Sequence, residues 1–321
     1  MGFRMLDDIL KAQLSRTLPR TDLPLPGRRE GKVRDVYDLG DHLLIVATDR
    51  LSAFDVVLTT IPFKGQVLNQ ISAYWFEATA DVAKNHVVSQ PDPCALLARK
   101  CRALPVEVVV RGYITGSLWR DYQAGRAGVY GIELPAGLRR DQAFEKPIIT
   151  PSTKAEVGQH DEPISSEEVV RRGLVDPEIW EECQRIALAL FERGQKLAAE
   201  RGLILVDTKY EFGLAADELL VIDEIHTPDS SRYWEAAEYE ERFARGEDQR
   251  MLDKENIRKW LMEERGYMGQ GPAPTVPDEV RIDLAKKYVA NYERLTGKPF
   301  EPADGDPHER LVENLRKAGI L

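Results

Sequence analysis

The residues with the clearest chemical potential lie in the segment LVDTKYEFG, residues 205–213. Its apolar flanks predict a strand, and alternate side chains of a strand share a face, so Asp207, Lys209 and Glu211 are expected together. A hairpin through GLAAD would place Asp223 of the next strand, LLVIDEI, opposite the region of Asp207 and Lys209. Like charges held together are costly without a cation between them. The pattern therefore favours a Mg²⁺ ion that bridges nucleotide phosphates over a solvated strand face.

Two further segments place cations where a phosphate could bind. In GKVRDVY, residues 31–37, a glycine lets the backbone approach a phosphate and Lys32 supplies charge. This segment is not a Walker A loop, and a surface turn is its preferred interpretation when it is taken alone. In VEVVVRGYITGS, residues 106–117, a buried strand delivers Arg111 to its end, where Arg111 and Ser117 suit a phosphate or carboxylate. An arginine paired with an acid explains that pattern equally well.

The segment IDEIHTPDSSRYW predicts a turn at Pro228 and a helix capped by Ser230 or Ser231. Arg232 would then lie near the start of that helix. A cation in this position opposes the helix dipole unless an anion is bound, which is a mild indication of function.

The elements that must position these residues are strands paired locally and helices grouped elsewhere. Apolar patterns predict strands over residues 43–48, 53–61, 106–111, 203–212 and 218–225, and helices over 66–84 and 177–201. A Gly/Pro-rich linker, residues 269–278, precedes two helices that finish the chain. This organisation is typical of an α+β fold rather than an alternating parallel sheet.

Composition excludes several classes of protein. The 321 residues include 44 Lys and Arg and 54 Asp and Glu, and the formal charge of −10 gives no global attraction to nucleic acid or anionic lipid. No apolar stretch approaches the ~20 residues of a membrane helix. Three cysteines, Cys94, Cys101 and Cys183, form no complete disulfide framework. We expect a cytoplasmic protein, a monomer or small homo-oligomer, without nucleic acid or membrane partners.

Six segments together, and in this order, resemble the SAICAR synthetase family of de novo purine synthesis: GKVRDVY, TDRLSAFD, LPVEVVVRGYITGS, HDEP, LVDTKYEFG and DEIHTPDSSRYW. They extend over residues 31–234. The resemblance implies an ATP-dependent ligase that joins L-aspartate to the carboxylate of carboxyaminoimidazole ribonucleotide (CAIR). The products are the succinocarboxamide SAICAR, ADP and phosphate, and the expected route passes through an acyl phosphate. The partners are thus small molecules, with ATP as co-substrate and Mg²⁺ as cofactor.

The resemblance also implies an architecture. It is a two-lobed α+β fold related to protein kinases and ATP-grasp enzymes, with ATP in the cleft between the lobes and a helical C-terminal extension. The implied domains are a mainly antiparallel β lobe over residues 1–115, an α+β lobe with the metal-binding hairpin over 116–252, and the extension over 253–321.

Residue roles follow from the matching motifs. The resemblance assigns ATP binding to Gly31, Lys32 and Arg34, CAIR binding to Arg111, Ser117 and Arg232, Mg²⁺ binding to Glu211 and Asp223, and catalytic positions to Asp161, Asp207 and Lys209.

Two other functions remain to be distinguished from the ligase. A small-molecule kinase that stops after phosphoryl transfer would use the same carboxylate hairpin and lysine. A nucleotide-binding regulatory module would bind without turnover, but it should lack a metal ligand or a phosphate contact, and neither is missing here. The ligase differs from the kinase in that its release of ADP requires both an imidazole carboxylate and an amine.

Overall fold

The strand-forming segments of the sequence pair antiparallel with one another. The computed structural model describes residues 3–54, 56–154, 161–252, 255–303 and 305–321, without the side chains of residues 3–5, 255, 256, 258 and 259. Asp55 of TDRLSAFD and His160 of HDEP lie outside these residues. The strands are β1 (Arg29–Glu30), β2 (Arg34–Asp38), β3 (His42–Ala47), β4 (Arg50–Ala53), β5 (Val56–Thr60), β6 (Val87–Asp92), β7 (Ala95–Arg99), β8 (Arg102–Ile114), β9 (Gln142–Ile149), β10 (Ser152–Thr153), β11 (Leu203–Ala215), β12 (Glu218–Ile222) and β13 (Ser231–Glu235). The helices are α1 (Phe3–Gln13), α2 (Lys64–Ala78), α3 (Gly116–Gln123), α4 (Ser166–Arg171), α5 (Pro177–Ala199), α6 (Ala236–Arg245), α7 (Glu255–Arg265), α8 (Asp278–Thr296) and α9 (Pro307–Lys317).

The first of two compact units consists of Met1–Tyr74, Val87–Lys100 and Lys254–Leu321. Its five-stranded sheet has the order β1-β2-β3-β7-β6. Tyr37, Leu44 and Val46 alternate along β2 and β3 and fill the core, to which α9 adds Leu311 and Leu315. The last helix of the chain therefore completes the core of this unit.

The second unit consists of Trp75–His86 and Cys101–Asp253. Its sheet has the order β10-β8-β11-β12, and β9 and β13 add to β8 and β11. Helix α5 packs on β8 and β11 and buries Cys183, Ile186 and Leu190. It begins where the sequence predicts, with Pro177 in the first turn and the Asp176 carboxylate accepting the Glu178 N–H. This helix holds the two longest strands of the sheet from behind.

Local patterns mark most elements correctly, but three differ from the prediction. Helix α2 ends at Ala78, and the predicted strand over residues 53–61 lies instead across the hairpin of β4 and β5. The predicted helix start beside Arg232 is wrong, because residues 231–235 form β13 and α6 begins at Ala236. Tyr233 and Trp234 are fully buried there, and their packing outweighs the local cap signal. None of the described helices combines the length and apolar character that a membrane crossing requires.

Candidate active site

One face of the second unit's sheet carries the charged residues of β8 and β11. In the register of these antiparallel strands, Asp207 lies opposite Arg111 and Glu211 lies opposite Glu107, with Lys209 between them on β11. Directly opposed residues project to the same side of a sheet. The predicted shared face of Asp207, Lys209 and Glu211 is thus confirmed, and β8 adds an arginine at one end and a glutamate at the other.

At the cationic end of this face, one carboxylate oxygen holds two arginines. Oδ2 of Asp207 accepts hydrogen bonds from Nη1 of Arg111 at 3.2 Å and from Nη1 of Arg232 at 3.0 Å. Arg111 also donates to Oγ of Ser117 at 3.1 Å and to Oγ1 of Thr150 at 2.8 Å. The structure therefore brings together the three residues predicted to bind CAIR. Two guanidinium groups share one carboxylate, so this end keeps a positive charge that suits an anion.

Close packing fixes the direction of these two arginines. Arg111 is buried. Burial lowers the pKa of its guanidinium, and so does the nearby charge of Arg232, whereas Asp207 opposes that shift. Gly116, at the start of α3, has φ of +57°, and a Cβ there would lie 2.1 Å from Nη1 of Arg232. Only a residue without a side chain lets the guanidinium approach the backbone this closely.

At the other end, carboxylates and ammonium groups share hydrogen bonds. Nζ of Lys209 donates to Glu107 at 2.6 Å and to Glu211 at 2.8 Å, and Lys154 also donates to Glu211. Burial alone would raise the pKa of Glu211, but Lys209 and Lys154 lower it to about 2. Burial raises the pKa of Glu107, with contributions from Glu211 and Asp161, while Lys209 opposes the shift. Glu211 is thereby held as a carboxylate.

Asp223 joins this carboxylate cluster by a route other than the predicted one. The hairpin turn between β11 and β12 is confirmed, but pairing stops with Ile222 opposite Glu211. Asp223 follows with φ of +68°, so it leaves the ladder before it can lie opposite the region of Asp207 and Lys209. Burial alone would lower the pKa of Lys209, yet the charges of Glu211, Glu107 and Asp223 raise it. The carboxylate of Asp223 therefore acts on the same ammonium group as the two glutamates.

The composition of this cluster fits a magnesium ion. Four acidic side chains lie in one neighbourhood, Glu107, Glu211, Asp223 and Asp161, with Lys209 and Lys154 bound to Glu211. Within the described part of the chain, no three acidic, histidine or cysteine side chains form a ready-made metal site. Mg²⁺ is commonly held by one or two carboxylates plus substrate phosphates, and hard oxygen ligands suit it. The residues present are thus compatible with a metal that arrives with a nucleotide.

The predicted ATP-binding segment lies in the first unit, where an arginine organises its backbone. The Gly31 N–H donates to the carbonyl of Arg34 at 2.7 Å, which closes a turn before β2. Arg50 donates to the carbonyls of Gly31 at 2.9 Å and Lys32 at 3.0 Å, and its guanidinium also binds the buried Asp35 at 2.9 Å. Lys32 is exposed at this turn, and Arg34 begins the strand.

Sequence reasoning missed three residues of these sites. Glu107 lies four residues before Arg111 on the same strand, so the two-residue period would have placed both on one face. Arg50 is part of TDRLSAFD, but nothing local shows that it reaches the turn at Gly31. Thr150 contacts Arg111 across 39 positions of sequence, and no local signal could have found it.

Comparison with known proteins agrees with this geometry. Residues 28–274 match the family model described as SAICAR synthetase. A phosphoribosylaminoimidazole-succinocarboxamide synthase of Bacteroides thetaiotaomicron is 47% identical over 308 residues, which cover 94% of this chain and 98% of the relative. The SAICAR synthase of Saccharomyces cerevisiae complexed with SAICAR has a TM-score of 0.78 and 35% identity, and the match covers 89% of this chain and all of that one. A SAICAR synthetase in complex with ADP has a TM-score of 0.65 and 25% identity, with 86% of this chain covered and all of that one. The mixed α/β fold of this chain is similar to theirs.

Proposed function

The chain belongs to the SAICAR synthetase family, which ligates L-aspartate to CAIR with ATP in purine biosynthesis, and from this premise we propose how its residues divide the work. The observation that carries the proposal is the single sheet face with an anion-binding end and a carboxylate-rich end. ATP is the co-substrate, and SAICAR and ADP are present in the similar structures named above.

The cationic end binds CAIR. Arg111, Ser117 and Arg232 hold its 5′-phosphate, and Asp207 keeps both guanidinium groups aimed at that position. Charge-assisted hydrogen bonds to a phosphate are stronger than neutral ones, which makes this end an anchor for the nucleotide. The close approach of Arg232 to Gly116 supports the assignment, because a side chain at position 116 would displace the guanidinium.

The carboxylate-rich end supports magnesium and the reacting carboxylate. Glu211 and Asp223 would hold Mg²⁺, which neutralises phosphate charge during phosphoryl transfer when it is bound. Lys209 fixes Glu107 and Glu211 relative to each other, and Asp161 lies near the carboxylate of CAIR. In the first unit, Gly31, Lys32 and Arg34 bind the phosphates of ATP, on a turn that Arg50 holds.

The reaction proceeds in two steps. An oxygen of the CAIR carboxylate attacks the γ-phosphorus of ATP, so that ADP leaves and an acyl phosphate forms. The amine of L-aspartate then attacks the carbonyl carbon, loses a proton and expels phosphate. This order is favoured because a carboxylate is a poor electrophile until it is phosphorylated. Such chemistry asks the protein for positioning and charge neutralisation rather than for a covalent nucleophile.

The finer architecture is part of the same proposal. We place the chain in a two-lobed fold related to protein kinases and ATP-grasp enzymes, with a β lobe over residues 1–115, an α+β lobe over 116–252 and a helical extension over 253–321. The helices α7, α8 and α9 support the assignment of the extension.

Omission of one substrate at a time tests the activity. The purified protein is given ATP, Mg²⁺, CAIR and L-aspartate, and ADP is measured with each component left out. A ligase releases ADP in stoichiometry with SAICAR and requires both acceptors. Multiple turnovers of ADP release with CAIR but without aspartate, matched by a stable phosphorylated CAIR, would instead indicate the kinase, and no release in the full mixture would indicate a binding module. With ¹⁸O in the CAIR carboxylate, label in the released phosphate supports the acyl phosphate, and its absence would exclude that route.

A further inference from the structure

The segment between Asp223 and Arg232 connects the two ends of the charged face. It leaves β12 after Ile222 and enters β13 at Ser231, where Arg232 lies opposite Asp207. His226, in its middle, is fully buried and has φ of +56°. A non-glycine residue rarely adopts this conformation unless its surroundings impose it. The contacts of His226 must therefore account for the path of the segment.

The imidazole ring is held by residues from three other elements. Its Nε2 is 2.5 Å from the hydroxyl of Tyr210 on β11, and its ring lies edge to face with Trp75 of α2 at 4.7 Å between centroids. A Cβ on Gly194 of α5 would lie 2.5 Å from Cε1 of the imidazole, so this helix approaches the ring without room for a side chain. The ring has one position available to it.

The tyrosine partners of His226 are neighbours of the site residues. Tyr210 lies between Lys209 and Glu211 on β11, with its side chain on the opposite face of the strand. Tyr233 follows Arg232, and its hydroxyl donates to the carbonyl of His226 at 2.7 Å. Both tyrosines are fully buried. His226 thus joins the back of the carboxylate strand to the strand that carries Arg232.

A purely apolar packing role does not explain the choice of histidine. Phenylalanine would fill the space and keep the edge contact with Trp75, but it would leave the buried hydroxyl of Tyr210 without this partner. Within the described residues, Nδ1 of His226 is buried without a hydrogen-bond partner, which is a cost that an apolar side chain avoids. Burial lowers the pKa of His226 to about 3, so the ring is neutral at physiological pH.

We propose that His226 is a positioning residue, which fixes the 223–232 segment through Tyr210 and Tyr233 so that Asp223 and Arg232 keep their places. This inference rests on the proposed function, because it takes Arg232 as a CAIR ligand and Asp223 as a magnesium ligand. His226 touches neither substrate nor metal. Its effect must therefore appear as weaker binding by residues that it does not contact.

The test compares three single variants and one double variant of the full-length protein. His226→Phe keeps the ring and removes the nitrogen, His226→Gln can return a polar group near the position of Nε2, and Tyr210→Phe removes the other partner. CAIR affinity is measured by titration calorimetry without ATP, and the apparent Mg²⁺ requirement and KM for CAIR are measured during turnover. We expect His226→Phe and Tyr210→Phe each to weaken CAIR binding by about 10- to 100-fold, the scale that a small misplacement costs. His226→Gln should recover most of that loss. The double variant, with His226→Phe and Tyr210→Phe, should bind CAIR no more weakly than either single variant.

Two results would overturn the proposal. Wild-type CAIR affinity and Mg²⁺ requirement in folded His226→Phe would show that the segment needs no imidazole. If His226→Gln and His226→Phe lose the same activity, in proportion to their unfolded fraction, the residue serves stability alone. Tyr210→Phe keeps the histidine, so it decides the question if both His226 variants fail to fold. The omission experiment uses the wild-type protein and none of these variants, so a failure of the proposed function is recognised separately.

Discussion

Each unit holds a buried carboxylate site, and the two sites balance their charges differently. In the first unit, Asp92 accepts from Nε and Nη2 of Arg310 at 3.1 and 3.3 Å, from Asn314 at 2.7 Å and from the Cys94 N–H at 3.0 Å. Burial would raise the pKa of Asp92, but Arg310 lowers it below the usual value. We call this group the Asp92 anchor, and its single negative charge is matched by a single positive one.

The carboxylate cluster of the second unit is organised differently, because its side chains share their partners. Glu107 and Glu211 share Lys209, and Asp223 and Asp161 add negative charge around them. Removal of one partner from a matched buried pair leaves an uncompensated charge and costs stability. In a cluster that shares its cations, the glutamates that remain after another carboxylate is removed still have an ammonium partner. From this comparison we propose that the paired site secures the fold, whereas the site with shared cations takes a further cation that comes with the substrates.

The largest effect is expected from breaking the anchor. Arg310→Met leaves Asp92 buried without its guanidinium, and we expect a loss of about 3–5 kcal/mol in the free energy of unfolding. Urea denaturation measures this loss, and Arg316→Met, an exposed change in the same helix, is the control. The specific activity of the folded fraction should stay near that of the wild type. A loss below 1 kcal/mol would contradict the role of the anchor.

In the second unit, Asp223→Asn should lower turnover rather than stability. Loss of this proposed magnesium ligand is expected to lower turnover at ordinary Mg²⁺ by at least about 100-fold, the upper end of what losing an outer-shell partner of a metal costs. The melting temperature should stay close to that of the wild type, because Glu107 and Glu211 still bind Lys209. Asp217→Asn, in the exposed turn of the same hairpin, is the matched control. Near-normal turnover in Asp223→Asn would remove the metal assignment.

The same contrast explains what the sequence could predict about the site. The shared face of Asp207, Lys209 and Glu211 follows from the period of a strand, which holds wherever the strand pairs. The position of Glu107 opposite Glu211 depends on strand register, and the contact of Thr150 with Arg111 depends on a distant return of the chain. Neither is encoded in the local sequence. The anchor was missed for the same reason, because Asp92 and Arg310 meet across 218 positions of sequence.

For the fold, local signals succeeded where packing agreed with them. The start of α5 at Pro177 and the hairpin turn after Ala215 formed as predicted, because the Asp176 cap and the hairpin act on neighbouring backbone groups. The helix expected beside Arg232 did not form, since Tyr233 and Trp234 gain more by burial in β13. The division into three domains stays a prediction.

A smaller effect is expected at the cationic end of the face. Arg232→Ala removes one of two guanidinium groups from Asp207 and should raise the apparent KM for CAIR by one to two decades, which corresponds to about 1.5–3 kcal/mol for a hydrogen bond to a charged group. The KM for ATP should change far less. Arg245→Ala, an exposed arginine of α6, is the control for the loss of charge. Equal effects on both substrates would assign Arg232 a structural role.

The smallest expected effect is the pH dependence of the anchor. The folded-state pKa of Asp92 lies below its ordinary value of 3.8, so its ion pair stabilises the protein above that value and loses its contribution as the pH falls through the lower folded-state pKa. In Arg310→Met the buried Asp92 carboxyl has lost its cationic partner, so the folded state is more stable when this carboxyl is protonated. The difference in melting temperature between wild type and Arg310→Met should therefore be largest near pH 7 and shrink to less than about half near pH 3. Arg316→Met should show no such trend. A difference that is constant with pH would mean that Arg310 stabilises α9 through the packing of its aliphatic stem rather than through its charge.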